Sequence, residues 1–275
     1  MNSQHDSGVK RPVTSVDCHA HVMSMDRPLS PERHSAPKRN VTVEEYLDVL
    51  DRHGISHGLL TQPSFYGSDN TLLLEGLATG DGRLRGTAIV DPQISAESLH
   101  DLKAAGICGV RLNWLRRPQL PDACSAAYQD LFLKLREAGL HVELFVEGDL
   151  LPSVLPHIRR SGVQVVLDHF GCPTAADGVN GAGFRHALDA VEAGDTWVKL
   201  SAPYRLGGAR VQLYVDALLK AGGPQRLVWA TDWPYVGHED TITYAQCVEW
   251  LREWVPDDKV RTVILRDTPR ELFGF

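Results

Sequence analysis

The sequence predicts a single-domain α/β protein of the (β/α)8 TIM-barrel class. Three observations predict it. Eight short β-branched runs alternate with longer amphipathic stretches, no second compositional zone interrupts them, and 275 residues suit one barrel. An open doubly wound sheet alternates in the same way and stands second; the count of eight strands favours closure. The barrel is expected over 14–275, preceded by a polar, disordered tail over 1–13.

In chain order the strand candidates are 14–22, 57–62, 84–91, 109–114, 141–147, 164–169, 196–202 and 227–232. Between them, 43–53, 95–105, 128–138, 150–161, 183–193, 211–221 and 244–254 repeat apolar residues at three- and four-residue intervals. Tyr46, Leu47 and Leu50 show that spacing, as do Leu131, Phe132 and Leu135. Several of these helices run into a glycine, Gly139 and Gly222 among them, where the left-handed conformation closes the last turn.

Composition narrows the function. Hydrophobic residues at 43% and charged residues at 23% give an ordinary globular balance with material for a core. The formal charge of -7 argues against a nucleic-acid binder, which carries a basic stripe, yet leaves room for an anionic substrate held by a few local arginines. Cys18, Cys108, Cys124, Cys172 and Cys247 are odd in number and contain no CxxC pair, so a reducing compartment is expected. No run approaches the roughly 18 apolar residues of a membrane span, and the first residues lack a signal peptide's apolar stretch; a cytoplasmic location is expected.

Chemistry-bearing residues sit where the apolar strands run out. Strand one ends in Asp17-Cys18-His19-Ala20-His21, strand six in Asp168-His169, and strand eight in Thr231-Asp232-Trp233-Pro234. Period-two alternation puts His19, His21 and Asp17 on one side of their strand. In a parallel barrel these C-terminal ends share one mouth, so His19, His21, His169 and Asp232 are expected to meet there. One HxH pair is weak, and one strand-end Asp is usually a helix cap; three independent strand ends together are strong. No GxSxG elbow supports a serine esterase.

The segments VDCHAHV, DHFGCP and ATDWPY resemble strand motifs one, six and eight of the amidohydrolase superfamily. QPSFYGSDN at 62–70, GVRLNWLRR at 109–117 and KLSAPYRL at 199–206 resemble its lactonase branch, typified by 2-pyrone-4,6-dicarboxylate lactonase. The resemblance implies that Asp232 is the general base for water, and that His19, His21 and His169 donate hydrogen bonds to the developing oxyanion. It implies further that Arg111, Arg117 and Arg205 hold the carboxylates of a small anionic lactone, for which bidentate guanidinium forks are suited. Ser64 and Asn70, in the loop after strand two, are candidates for further substrate hydrogen bonds.

Two positions depart from that branch. His34 and Phe145 stand where the lactonase carries tyrosines, so a muconolactone or a sugar-acid lactone competes with the pyrone dicarboxylate. No metal cofactor is expected, although His19, His21, His169 and Asp232 are competent ligands for zinc or manganese. Strand five tips that balance: its histidine, His141, stands at the strand's start and Phe145 near its top. A metal-dependent decarboxylase of the same superfamily, and a non-catalytic binding protein on this fold, are the alternatives.

Overall fold

The computed structural model describes residues 11–31, 33, 35–174, 176 and 178–275. Of the expected tail, 1–10 lie outside the described residues; beyond them Arg11 donates to Asp51 at 2.8 Å. Eight strands follow one another around one sheet: β1 (Val16–Ala20), β2 (His57–Thr61), β3 (Leu84–Ala88), β4 (Ile107–Asn113), β5 (His141–Phe145), β6 (Val165–Leu167), β7 (Thr196–Leu200) and β8 (Leu227–Trp229). Each pairs in parallel with the next. The ring closes beyond the last strand, where Ala20 pairs with Trp233. There the His21 amide donates to Trp233 O at 2.8 Å and the Asp232 amide to His19 O at 2.9 Å. The open sheet is thereby excluded.

Eight helices follow the eight strands: α1 (Val43–Arg52), α2 (Thr71–Thr79), α3 (Ala96–Ala104), α4 (Ala126–Ala138), α5 (Leu151–Arg159), α6 (Ala182–Ala193), α7 (Val211–Gly222) and α8 (Tyr244–Trp254). Their ends obey local chemistry. Thr42 accepts from the Glu45 amide to start α1, and Thr243 with Gln246 forms a capping box on α8. Gly139 takes the left-handed conformation after α4, whereas Gly222 stays helical and its neighbour Gly223 turns the chain. The sequence pattern does not announce α2, because Leu72-Leu73-Leu74 is a continuous apolar run and Gly76 interrupts it, which blurs the helical period.

The interior is layered, as strand alternation requires. The closed end is apolar, built from Val16, Cys18, Leu59, Val166, Trp197 and Val228, and plugged by Phe273 of the short helix Thr268–Phe273. Above it lies a charged layer, Arg111, Glu143, Asp168 and Lys199, each at most 4% exposed. The mouth lies above that. Two of the strands that bring polar groups there are shorter than their sequence pattern: β6 stops at Leu167 and β8 at Trp229, so His169 and Asp232 belong to the loops that follow.

Candidate active site

The first strand does not alternate regularly. Its register slips between Asp17 and Ala20, as at a bulge. Asp17 therefore points outward and accepts from the Thr231 amide at 2.9 Å, the Thr231 hydroxyl at 2.7 Å and the Tyr244 hydroxyl of α8 at 3.1 Å. His19 and His21 point into the mouth. The expectation that Asp17 shares their side is corrected by this slip, and Asp17 becomes the clasp between the two ends of the barrel.

Asp232 is the centre of the site. Its Oδ1 lies 3.6 Å from His19 Nε2, 3.5 Å from His21 Nε2 and 3.8 Å from His169 Nε2. Its Oδ2 accepts from Arg205 Nε at 2.8 Å and the Tyr204 hydroxyl at 2.9 Å. Burial alone would raise the Asp232 pKa, but the Arg205 guanidinium and the imidazoles outweigh it and hold the carboxyl well below its usual range. The His169 imidazole is pushed down to about 4, by burial above all. His19 likewise is held well below the ordinary imidazole value, by burial and then by Lys199. Both rings are neutral at pH 7.

The neighbours of each ring assign its protons. His21 Nδ1 lies 2.7 Å from Thr61 O, and a carbonyl only accepts, so Nδ1 carries the proton and Nε2 keeps a lone pair in the neutral ring. His169 Nδ1 lies 2.8 Å from the Ser201 hydroxyl, which can donate and leave the ring proton on Nε2. Beneath them, Lys199 Nζ sits 2.6 Å from Glu143 Oε2, 3.1 Å from Asp168 Oδ1 and 3.0 Å from His19 Nδ1. Burial would discharge this lysine, yet the two carboxylates more than compensate and raise its pKa. Asp168 stays ionised against burial chiefly through Lys199 and also through Arg111, while burial and Asp168 push Glu143 up.

The mouth opens into a cavity of about 800 Å³ whose floor includes His21, His169 and Asp232. Ser64, Arg111 and Arg205 line it, with Arg116, Asn113 and His238. Arg111 is 4% exposed, and its Nε and Nη2 both bind Asp168 Oδ2, at 3.2 and 3.0 Å, so much of its fork is committed to the charged layer. Arg117 is not among the lining residues; its Nε bonds Asn113 O at 3.4 Å, while Arg116 faces the cavity from a left-handed turn. Asn70 also turns away: its amide donates to Ile89 O at 2.8 Å and accepts from the Ile89 amide at 3.1 Å, clasping the loop after β3. His34 lies outside the described residues. Phe145 lies at the top of β5, edge-on to His169 and under the Arg111 guanidinium. His141 sits at the opposite end of that strand, against Phe273.

Lys199 and Glu143 touch His19, and Tyr204 donates to Asp232; the motifs did not single out these three. The one available signal was the run Trp197-Val-Lys199-Leu-Ser201, which puts an inward-facing lysine in a buried strand.

Two groups bring donor atoms close enough to share one cation: His19, His169 and Asp232, and His19, Glu143 and Asp168. In the first, His19 Nε2 and His169 Nε2 lie 3.6 and 3.8 Å from Asp232 Oδ1, and His21 Nε2 stands beside them at 3.5 Å, near the roughly 3.4 Å edge of a tetrahedral zinc site. The lone pair of His21 and the Asp232 carboxylate fit such an ion. In the second group, the Lys199 ammonium already stands at the centre.

The sequence profile of a family described as amidohydrolase matches residues 16–275, the whole barrel. The chain belongs to the amidohydrolase family. Among curated proteins, this amidohydrolase is 28% identical over 277 residues to a 4-sulfomuconolactone hydrolase of Rhizobium radiobacter, covering 96% of this chain and 91% of that one. It is 27% identical over 281 residues to a 2-pyrone-4,6-dicarboxylate hydrolase of Comamonas testosteroni, with the same coverage. Among solved structures, a probable 2-pyrone-4,6-dicarboxylic acid hydrolase from Acinetobacter baumannii with citric acid bound superposes with a TM-score of 0.90. It is 32% identical and covers 95% of this chain and 100% of that one. The chain is a hydrolase. Among the described residues no helix is long and apolar enough to cross a membrane.

Proposed function

We propose that this hydrolase opens a small lactone bearing at least one anionic group, by attack of a water that Asp232 deprotonates. The observation that carries the reading is the single carboxylate oxygen, Asp232 Oδ1, within 3.8 Å of three imidazole Nε2 atoms on a cavity floor lined by arginines. A water on Oδ1 gives that oxygen one proton. His21 Nε2, an acceptor in the neutral ring, holds the water's other proton and so orients the attack, a role different from the oxyanion donor expected of it. The carbonyl oxygen gains charge as the water adds, and Nε2–H groups of His19 and His169 stabilise it. Collapse breaks the ring C–O bond, and Asp232 returns its proton to the departing ring oxygen. The products are a hydroxyl and a carboxylic acid, which ionises by releasing the water's second proton to solvent.

Arg205 and Arg116, at the rim, suit the substrate's anionic group, and Ser64 adds a hydroxyl beside them. The relatives act on a sulfomuconolactone and a pyrone dicarboxylate, both anionic, which supports the same class here. A divalent ion held by His19, His169 and Asp232, with His21 beside them, would supply Lewis-acid polarisation of the carbonyl. A lactone is an activated ester for which imidazole donors suffice, so turnover is expected to survive exhaustive chelation with metal content checked by elemental analysis. A metal-dependent decarboxylase finds less support, because β5 offers Phe145 at the mouth and its histidine lies at the closed end.

The test is a panel of sulfo-, carboxy- and neutral lactones assayed for acid release, with and without chelator. Anionic lactones are expected to open, and Asp232→Asn is expected to lower turnover by about 10²-fold or more with the fold intact. Unchanged turnover in that variant removes Asp232 as the base; loss on chelation with recovery on zinc or manganese replaces the metal-free mechanism.

A further inference from the structure

We infer that Lys199 is an internal cation that fixes the tautomer of His19, so that this imidazole presents an N–H, and not a metal-binding lone pair, to the cavity. The catalytic consequence rests on the lactone reading; the tautomer itself does not. Lys199 is completely buried and touches no part of the cavity, so it acts through His19 as a positioning residue.

An ammonium has three donors and no acceptor. Lys199 meets three acceptors: Glu143 Oε2 at 2.6 Å, His19 Nδ1 at 3.0 Å and Asp168 Oδ1 at 3.1 Å. The contact with Nδ1 is attractive only if that nitrogen keeps its lone pair, which sends the ring proton to Nε2. Asp168 Oδ1, 3.2 Å from the same Nδ1, pulls the other way, since a carboxylate would accept a proton from it. The comparison favours Lys199. Asp168 accepts two Arg111 donors on Oδ2, and its Oδ1, which accepts no hydrogen bond among the described residues, is ion-paired with the Lys199 ammonium. A proton on Nδ1 would instead face the ammonium at 3.0 Å and strand one of its N–H groups in a completely buried place, the costlier error.

A second contact asks for the same tautomer independently. The Thr61 carbonyl puts the proton of His21 on Nδ1, leaving a lone pair on its Nε2. That lone pair faces His19 Nε2 at 3.3 Å, which is favourable only if His19 Nε2 carries hydrogen. Donor thus follows donor from Lys199 through His19 to His21, and an incoming carbonyl oxygen takes over the last N–H. The lysine fills a cluster that would otherwise suit a cation, and by doing so makes His19 an oxyanion donor.

The test reads the tautomer directly. Protein labelled with 15N-histidine, its metal content measured, gives long-range proton–nitrogen correlations for each ring; the His19 pair is recognised by its loss in His19→Asn. The expected pattern is a pyridine-type Nδ1 and a pyrrole-type Nε2. A pyrrole-type Nδ1, alone or together with Nε2, overturns the proposal. Lys199→Met paired with Glu143→Gln removes the cation and one anion together, which keeps the buried layer foldable. In that variant His19 is expected to shift its proton to Nδ1, facing Asp168, and kcat on an opened lactone to fall about tenfold or more with little change in KM. Retention of the Nε2–H pattern there would show that Lys199 does not set it. If no lactone is turned over at all, the spectra still decide the inference, so its failure and that of the lactone reading remain distinct.

Discussion

Arg205 carries two duties that pull on one carboxylate. Its Nε and Nη2 both lie 2.8 Å from Asp232 Oδ2, and its Nη2 also donates to Val236 O at 3.1 Å. Burial would lift the Asp232 pKa; this guanidinium is the strongest force against it. Arg205→Met should therefore let the base titrate at higher pH. On a neutral lactone, where no substrate anion needs the arginine, the acid limb of kcat/KM is expected to move up by about one pH unit or more. A limb that stays in place means that Asp232 is not the titrating base. Arg111 differs in kind. Removing it leaves Asp168 and Glu143 short of a buried partner, a loss of about 3–5 kcal/mol that would unfold the site before any effect on recognition could be read. His19, His21, His169 and Asp232 were legible in the sequence because strand ends in a barrel converge, whatever their separation along the chain. The partners of Lys199 were not. Glu143 and Asp168 come from other strands, and nothing in a linear pattern says which inward-facing charges stand opposite one another.

At the scale of elements, helix spacing and caps were readable because they depend on neighbours three or four residues away. The bulge in β1 was not, since it answers to pairing with β2. Nor were the early ends of β6 and β8: Asp168 and Thr231 continue an extended pattern, while the turn begins at His169 and Asp232. The loops carrying the site are held by close backbone approaches. Gly148 N donates to Cys172 O at 2.9 Å, and a Cβ on Gly183, in the first turn of α6, would lie 1.9 Å from Gly148 O. Backbone cannot swing aside as a side-chain tip can. Gly183→Ala is expected to cost about 1–3 kcal/mol in urea unfolding, and to lower turnover by parting the loops after β5 and β6. Wild-type stability in that variant would mean that α6 slides without cost.

Over the whole molecule, buried histidines tie stability to pH. Burial holds His141, at the closed end, down at about 3, against an ordinary value of 6.5. As pH falls below about 6.5 the unfolded chain takes up this proton and the folded protein does not, until pH approaches 3. The contribution is thus complete above pH 6.5 and is lost progressively below it, by at most about 1.4 kcal/mol per pH unit. Asp17, pushed up to about 6 by burial, works in the opposite sense. Its folded form keeps a proton that the unfolded chain releases, so its contribution is present below about 3.8 and is lost as pH rises through 6. Comparing His141→Phe with the parent cancels Asp17. Unfolding free energies between about pH 4 and 6 are expected to slope less in the variant. Equal slopes would exclude His141 as a source of acid lability.

Eight non-glycine residues among those described adopt positive φ. Seven of them, Arg116, His169, Phe170, Cys172, Ala202, Asp232 and Tyr235, lie in loops after the strands, at the mouth; only Asp81 lies elsewhere. Each such conformation costs on the order of 1 kcal/mol. The barrel therefore divides its labour: regular strands supply durability, and the loops above them are kept away from their own conformational optimum to aim side chains. Selection for heat resistance alone would find its easiest gains at this rim, through glycine at positions such as Ala202 and Cys172. A drift assay under heat, without a demand for turnover, should accumulate changes there and yield sturdier proteins with poorer catalysis. The durable part of the molecule and the adaptable part are thus different residues, which leaves the rim free to change substrates while the strands stay as they are.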